Sequence, residues 1–398
     1  MSLDEALSLV PKWFPAASTF TFGLLWGSFL NVVIYRVPRE MSVVQPGSHC
    51  PGCSKPIAGF DNIPLLSYLI LRGRARCCGL RMSPRYPLVE LIGGLLSLAI
   101  WLVIVAKLPG DIGAGKALAL YGAHFFLVLG LVAAAFIDAE HMFLPDSIMY
   151  GGIVLGLATA YTRGMAGSEP VWTAFARSGT GILVGFLVVW VPFIFLYKGL
   201  LGRTGMGWGD AKLLAVAGAW FGWPGALVVL LAGALQGTVY AGILKVLGVT
   251  LKLPKAVQDD IDELQKAAAE GDEEAKTLLE DDPLTENGDD PFIISFFQRI
   301  FGAGKDADEN EEDATTKPEK ETGSKKEELE KGEGEEEEED EEDEEDEEDE
   351  EDEEDEEEEP MRPRIPFGPF LILAMLELIF ARDVLHRLLP FVWSAAPD

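Results

Sequence analysis

The chain has 398 residues, 48% of them hydrophobic, and a formal net charge of −33. Residues 256–360 hold 51 of the 65 acidic residues and nine of the 32 basic ones, so the remainder is net positive and two different objects share one chain. The apolar residues are gathered into runs near or above the length that crosses about 30 Å of hydrocarbon, which excludes a uniformly soluble acidic protein, and no nucleic-acid partner is expected.

Taken in chain order, eight candidate spans lie near 15–35, 87–107, 117–137, 145–162, 178–199, 210–222, 224–249 and 366–382. The first lacks a basic leader, since Asp4 and Glu5 precede it, and is read as a retained span rather than a cleaved signal. The sixth is short for a full crossing, so a break at Pro224 is expected between it and the seventh. Arg36, Arg39, Lys55, Arg72, Arg74, Arg76, Arg81 and Arg85 fall between the first and second spans, whereas the loop at 107–117 carries Lys107 and Lys116 against Asp111. Lys and Arg concentrate on the cytoplasmic side of short loops, so the first loop is assigned there. Alternation then puts 138–145, 199–210 and 250–365 on the same side.

That first loop, 38–86, holds all four cysteines: Cys50 and Cys53 in HCPGCSK, Cys77 and Cys78 in ARCCGLR. Two pairs about two dozen residues apart have the look of a thiolate metal site, possible zinc, against the alternative of ordinary reduced thiols. Further on, Val257, Ile261, Leu264 and Ala268 recur at helical spacing within 256–280, predicting a short amphipathic helix. PFIISFFQRIF at 291–301 is apolar at 292, 293, 296, 297, 300 and 301 and too short to span; it reads as a surface helix or as a docking segment. Every residue from Glu335 to Glu359 is Asp or Glu, a run that self-repels, buries no core and is expected to be disordered.

Acidic residues at the spans' cytoplasmic ends are few: Asp138, Glu140 and Asp146 in FIDAEHMFLPDSI, and Asp210 in GMGWGDAK. A carboxylate at bilayer depth is costly and marks function. Two of them on one membrane face can share a proton and activate a water, as in aspartic proteases. No zinc-protease HExxH or serine GxSxG motif competes. Gly207 and Gly209 are read as an active-site loop, free to take φ values closed to other residues and to admit a close backbone.

Five stretches, GSFLNVVIYRVP (27–38), CPGCSKPIAGFDNIPLLSYLILRGRAR (50–76), SPRYPLVELIGG (83–94), IDAEHMFLPDSI (137–148) and GMGWGDAKLLAVAGAWFGW (205–223), resemble the type IV prepilin peptidases, a family of membrane aspartic proteases. The resemblance covers nearly everything outside 256–360. It implies a catalytic pair at Asp138 and Asp210, and substrates among type IV prepilins or the pseudopilins of type II secretion. It also implies N-methylation of the new N-terminal residue from S-adenosylmethionine, which the cysteine-bearing loop favours. The family's GRCRxC pattern stands here as Gly73-Arg74-Ala75-Arg76-Cys77-Cys78, with one thiol displaced.

The expected protein is therefore all-α and polytopic, with about eight transmembrane helices, a small cytoplasmic Cys-containing loop domain and a disordered acidic insert. Its parts are a first span at 1–37, the loop domain at 38–86, a peptidase core at 87–255, the insert at 256–360, and the last span with the C-terminus at 361–398. It sits in a bacterial inner membrane in contact with lipid, with the active site on the cytoplasmic side. A transporter using Asp138 and Asp210 for cations or protons is the alternative; a catalytically silent assembly factor is a third reading that the intact pair disfavours. Because Asp138 ends one helix and Asp210 opens another, their helix poles differ. Asp138 is expected to carry the shared proton and Asp210 to accept from the attacking water.

Overall fold

The computed structural model describes residues 1–165, 170–201, 206–249, 254–269 and 365–381. The 291–301 segment and the acidic run at 335–359 lie outside the described residues. Among the described residues the chain is helical without strands, and three isolated bridges are the nearest approach to a sheet. The helices are α1 (Leu3–Ser8), α2 (Phe14–Arg36), α3 (Leu66–Ile70), α4 (Arg85–Val103), α5 (Ala114–His141), α6 (Asp146–Met165), α7 (Val171–Val189), α8 (Tyr197–Leu201), α9 (Trp208–Val246), α10 (Lys255–Ala269) and α11 (Gly368–Phe380).

Five helical stretches are long and apolar enough to cross a membrane: Phe14–Arg39, Arg85–Lys107, Ala114–His141, Val171–Leu196 and Trp208–Val246. The 39-residue α9 carries the sixth and seventh expected spans together, interrupted at Gly222, whose φ of 72° and ψ of 179° are non-helical. The break falls two residues before Pro224, not at it. Pro224 cannot continue a helix from the preceding turn, because its ring meets the carbonyl four residues back. Gly222 absorbs the change in direction at a φ that side chains avoid. At 20 residues α6 is long enough to span, while α11, with 13, is a shorter apolar helix. Between α7 and α8 the backbone winds into a π-helical segment, Trp190–Leu196, around Pro192, whose missing N–H removes an ordinary α-helical bond.

In lipid, helices associate through close packing of small residues, not through a hydrophobic drive. Two such seams hold this bundle. Gly23 and Gly27 of α2 lie on Gly93, Gly94 and Glu90 of α4, so close that a side chain on either would strike the partner backbone. Gly181 and Gly185 of α7 meet Gly218 and the Leu214 carbonyl of α9 in the same way, with the two helices running antiparallel. Hydrogen bonds add to the packing: the Ser97 and Tyr121 hydroxyls, both buried, lie 2.7 Å apart between α4 and α5. Trp220 Nε1 of α9 donates to the Gly152 carbonyl of α6 at 2.9 Å.

One end of the bundle gathers the loops that matter. Arg85 at the start of α4 pairs with Glu140 at the end of α5 (2.6 Å), and Lys212 of α9 pairs with Asp146 at the start of α6 (2.5 Å). The amphipathic helix expected within 256–280 is present as α10 and buries Val257 and Ile261 against Met142, just past α5. The acidic insert thus begins as a packed helix beside that end.

Candidate active site

Helix α5 ends because Met142 adopts the left-handed conformation (φ 55°, ψ 32°), its N–H bonding the Asp138 carbonyl at 2.9 Å. The following Phe143-Leu144-Pro145 turns the chain into α6 and drives Leu144 inward, 6% exposed. Asp138 thereby sits in the last turn of α5, at its negative pole. Asp210 arrives from the other direction. Gly207 is the N-cap of α9, and Asp210 is its third helical residue, at the positive pole. The two carboxyl-bearing residues, 6% and 9% exposed, lie within electrostatic range of each other.

Gly207 and Gly209, read as free to take unusual φ values, do not take them: Gly207 has φ −72°, and neither is among the residues with positive φ. What Gly209 needs is space, since a Cβ there would lie 2.9 Å from Leu144 Cβ. A Cβ on Gly207 would meet Asp210 Oδ2 at an ordinary 3.4 Å. Leu144 is therefore the floor of the site, against which the glycine loop rests. Asp146 stays outside, its exposed side chain held by Lys212, and Glu140 is engaged by Arg85. Sequence reasoning missed Gly368, the first residue of α11, which stands against the Asp138 carboxyl and Leu144. Its only signal in the chain was a glycine between Phe367 and Pro369 at the head of an apolar run.

The four cysteines form a second cluster, built by two tight turns. In the first, Cys50 N–H bonds the Lys55 carbonyl and Ser54 N–H bonds the Cys50 carbonyl. In the second, Ala75 N–H bonds Leu80 and Gly79 N–H bonds Ala75. Their thiols cross-pair: Cys50 Sγ lies 3.5 Å from Cys78 Sγ, and Cys53 Sγ lies 3.3 Å from Cys77 Sγ. All four sulfurs lie within 4.8 Å of one another. A tetrahedral zinc with bonds of about 2.3 Å sets its sulfurs roughly 3.8 Å apart, so the donor set fits such an ion. The displaced thiol does not prevent the gathering, because the turn at 75–80 brings adjacent cysteines to opposite partners. The Gly52 N–H holds the Cys50 thiol down at about 6 against desolvation. Hydrogen bonding to Cys53 and Cys50 pushes Cys77 up to about 12.

An apolar cleft lined by Phe126, Gly130, Ile148, Met149, Gly152 and Val216 opens among α5, α6 and α9 and contains neither aspartate.

Residues 21–104 match the model of the bacterial peptidase A24 N-terminal domain, and residues 125–242 match that of the type IV leader peptidase family. The second match includes both Asp138 and Asp210 and stops short of α11. Among curated proteins, a prepilin leader peptidase/N-methyltransferase of Aeromonas salmonicida (strain A449) is 36% identical over 257 residues, covering 57% of this chain and 80% of the relative. A protein of the same description from Klebsiella pneumoniae is 38% identical over 235 residues, 55% of this chain and 93% of the relative. One from Myxococcus xanthus (strain DK1622) is 41% identical over 243 residues, 60% and 67%. No solved structure matches. With two family models matched in succession along the chain and relatives matched over most of their length, the chain belongs to the type IV leader peptidase family.

Proposed function

We propose that this protein is a membrane aspartic endopeptidase that removes the leader of type IV prepilins or type II secretion pseudopilins and then N-methylates the exposed residue, with S-adenosylmethionine as methyl donor. The observation that carries the reading is the meeting of two buried carboxyl-bearing residues, Asp138 and Asp210, at one end of an apolar bundle within the family-matched segment. A water between two such groups loses a proton to the ionised one as its oxygen attacks the scissile carbonyl, while the protonated one donates to the carbonyl oxygen. The tetrahedral intermediate then collapses as the C–N bond breaks and a proton passes to the departing amine. Gly209 resting on Leu144 keeps the glycine loop tight against the segment that follows Asp138.

Sidedness follows from the basic residues of the 38–86 loop, so the site and the acidic insert are placed on the cytoplasmic face of the bacterial inner membrane. The four thiols are assigned to a structural zinc that orients this loop and supports methyl transfer; the ion enters no step of peptide cleavage. Family membership removes the ground for the transporter alternative. The test incubates the purified full-length protein with a prepilin and S-adenosylmethionine and weighs the products. The reading expects loss of the leader followed by a gain of one methyl group on the mature fragment; an unprocessed substrate would contradict it.

A further inference from the structure

Asp138 Oδ2 is buried and has no hydrogen-bond partner. A polar atom left in that state costs about 1–3 kcal/mol, and more when charged, so an unpaired oxygen here calls for a reason. Against this same oxygen lies Gly368. A Cβ at that position would stand 2.5 Å from Oδ2 and 3.0 Å from Cγ of Asp138, and 3.3 Å from Leu144 Cδ2. With the carboxyl where it is, only glycine fits.

The start of α11 also brings one backbone donor to this carboxyl. Its cap, Phe367, offers no side-chain hydrogen bond, and Pro369 has no N–H. The Phe370 and Leu371 N–H groups both return to the Phe367 carbonyl, at 3.1 and 3.3 Å. Among the described residues the Gly368 N–H takes no backbone acceptor, and it faces the Asp138 carboxyl. A helix N-terminus whose N–H has no described backbone acceptor is an anion-favouring pole, and the carboxyl of the buried Asp138 lies directly on it.

We propose that Gly368 is a positioning residue for Asp138: its missing side chain lets the carboxyl rest on the first turn of α11, and its N–H fixes the carboxyl's orientation toward Asp210. This rests on the reading of Asp138 as catalytic. The site is then built from three chain segments, 138–144, 207–210 and 368, the third of which is reached only after the acidic insert and lies beyond residue 242, where the peptidase family match ends. It also revises the division of labour drawn from helix poles. Asp138 lies between the negative end of its own helix and the positive end of α11, so the contrast with Asp210 is smaller than α5 and α9 alone imply.

The experiment uses the full-length chain and both of its activities. In Gly368→Ala, kcat for leader cleavage should fall about 100-fold, the size of effect expected when a reacting group is displaced by about an ångström. KM should stay within about threefold, since binding of the substrate is left in place. Methylation of a pre-cleaved substrate, which breaks no peptide bond, should persist. Cleavage within threefold of the parent would overturn the proposal. Should both activities fall together, methylation is read in Asp138→Ala/Gly368→Ala. Recovery there shows that the added methyl collides with the carboxyl, as proposed; continued loss shows that the glycine serves only the seating of α11 and rejects the proposal. Failure of the aspartic reading itself is recognised separately, by normal cleavage in Asp138→Asn with Gly368 intact.

Discussion

Asp138 and Asp210 differ from every other acid near this end of the bundle in what surrounds them. Glu140 has Arg85 and Asp146 has Lys212, both partly exposed pairs of the kind worth at most about 1 kcal/mol. The two aspartates have no basic partner among the described ion pairs and are nearly out of solvent. Asp146→Asn is accordingly expected to lower cleavage by less than about tenfold, measured as initial rate on a prepilin; a loss as deep as that of Asp138→Asn would move Asp146 into the chemistry. The thiol cluster makes a separate prediction. Cys50→Ser/Cys53→Ser should lose the one zinc per chain expected of the parent, with methylation falling further than cleavage; a parent without stoichiometric zinc by elemental analysis would rule the metal out. The aspartates were legible in the sequence because a charge inside an apolar run stands out, and the cysteines because four thiols in one loop do. Gly368 was not legible, since its part is played by the absence of a side chain, and no local pattern shows which distant carboxyl fills that space. For the glycines at 207 and 209 the sequence offers two reasons, dihedral freedom and close approach; neither takes a positive φ, and Gly209 needs room against Leu144.

At the scale of helices, the spans could be read from apolar runs, but their contacts could not. Gly23 and Gly181 are two among 42 glycines, and only the structure shows that they lie on the backbones of α4 and α9. Gly181→Val must push α7 away from Gly218 and should lower stability by about 2–3 kcal/mol, the cost of overpacking a tight contact. The check is the midpoint of thermal inactivation in detergent, which should drop for Gly181→Val and stay in place for Gly179→Val, whose Cβ meets nothing within 4 Å. The break in α9 shows a related limit. Pro224 announces that a helix must stop, but the residue that turns the chain is the one able to adopt the required φ, and that is Gly222.

For the whole molecule, the acidic insert separates α9 from the helix that supplies Gly368, and α10 ties its beginning to Met142 through Val257 and Ile261. A deletion starting at residue 260 would cut α10 through Ile261; one spanning 272–358 spares it. Closing that gap with a flexible linker should leave cleavage intact, because closure entropy changes only logarithmically with loop length. We propose that the acidic run attracts a basic leader, over a range of about 8 Å at physiological salt. Full-length enzyme should therefore show the steeper fall of kcat/KM with ionic strength, and identical curves would deny the insert a part in capture. The central claim is that Asp138 and Asp210 act as one catalytic unit, and its most direct test is the cleavage rate of Asp138→Asn and Asp210→Asn, with methylation of a pre-cleaved substrate as the control for folding. Each variant should lose about 10³-fold or more in cleavage while keeping methylation; normal leader removal by either one would contradict the account.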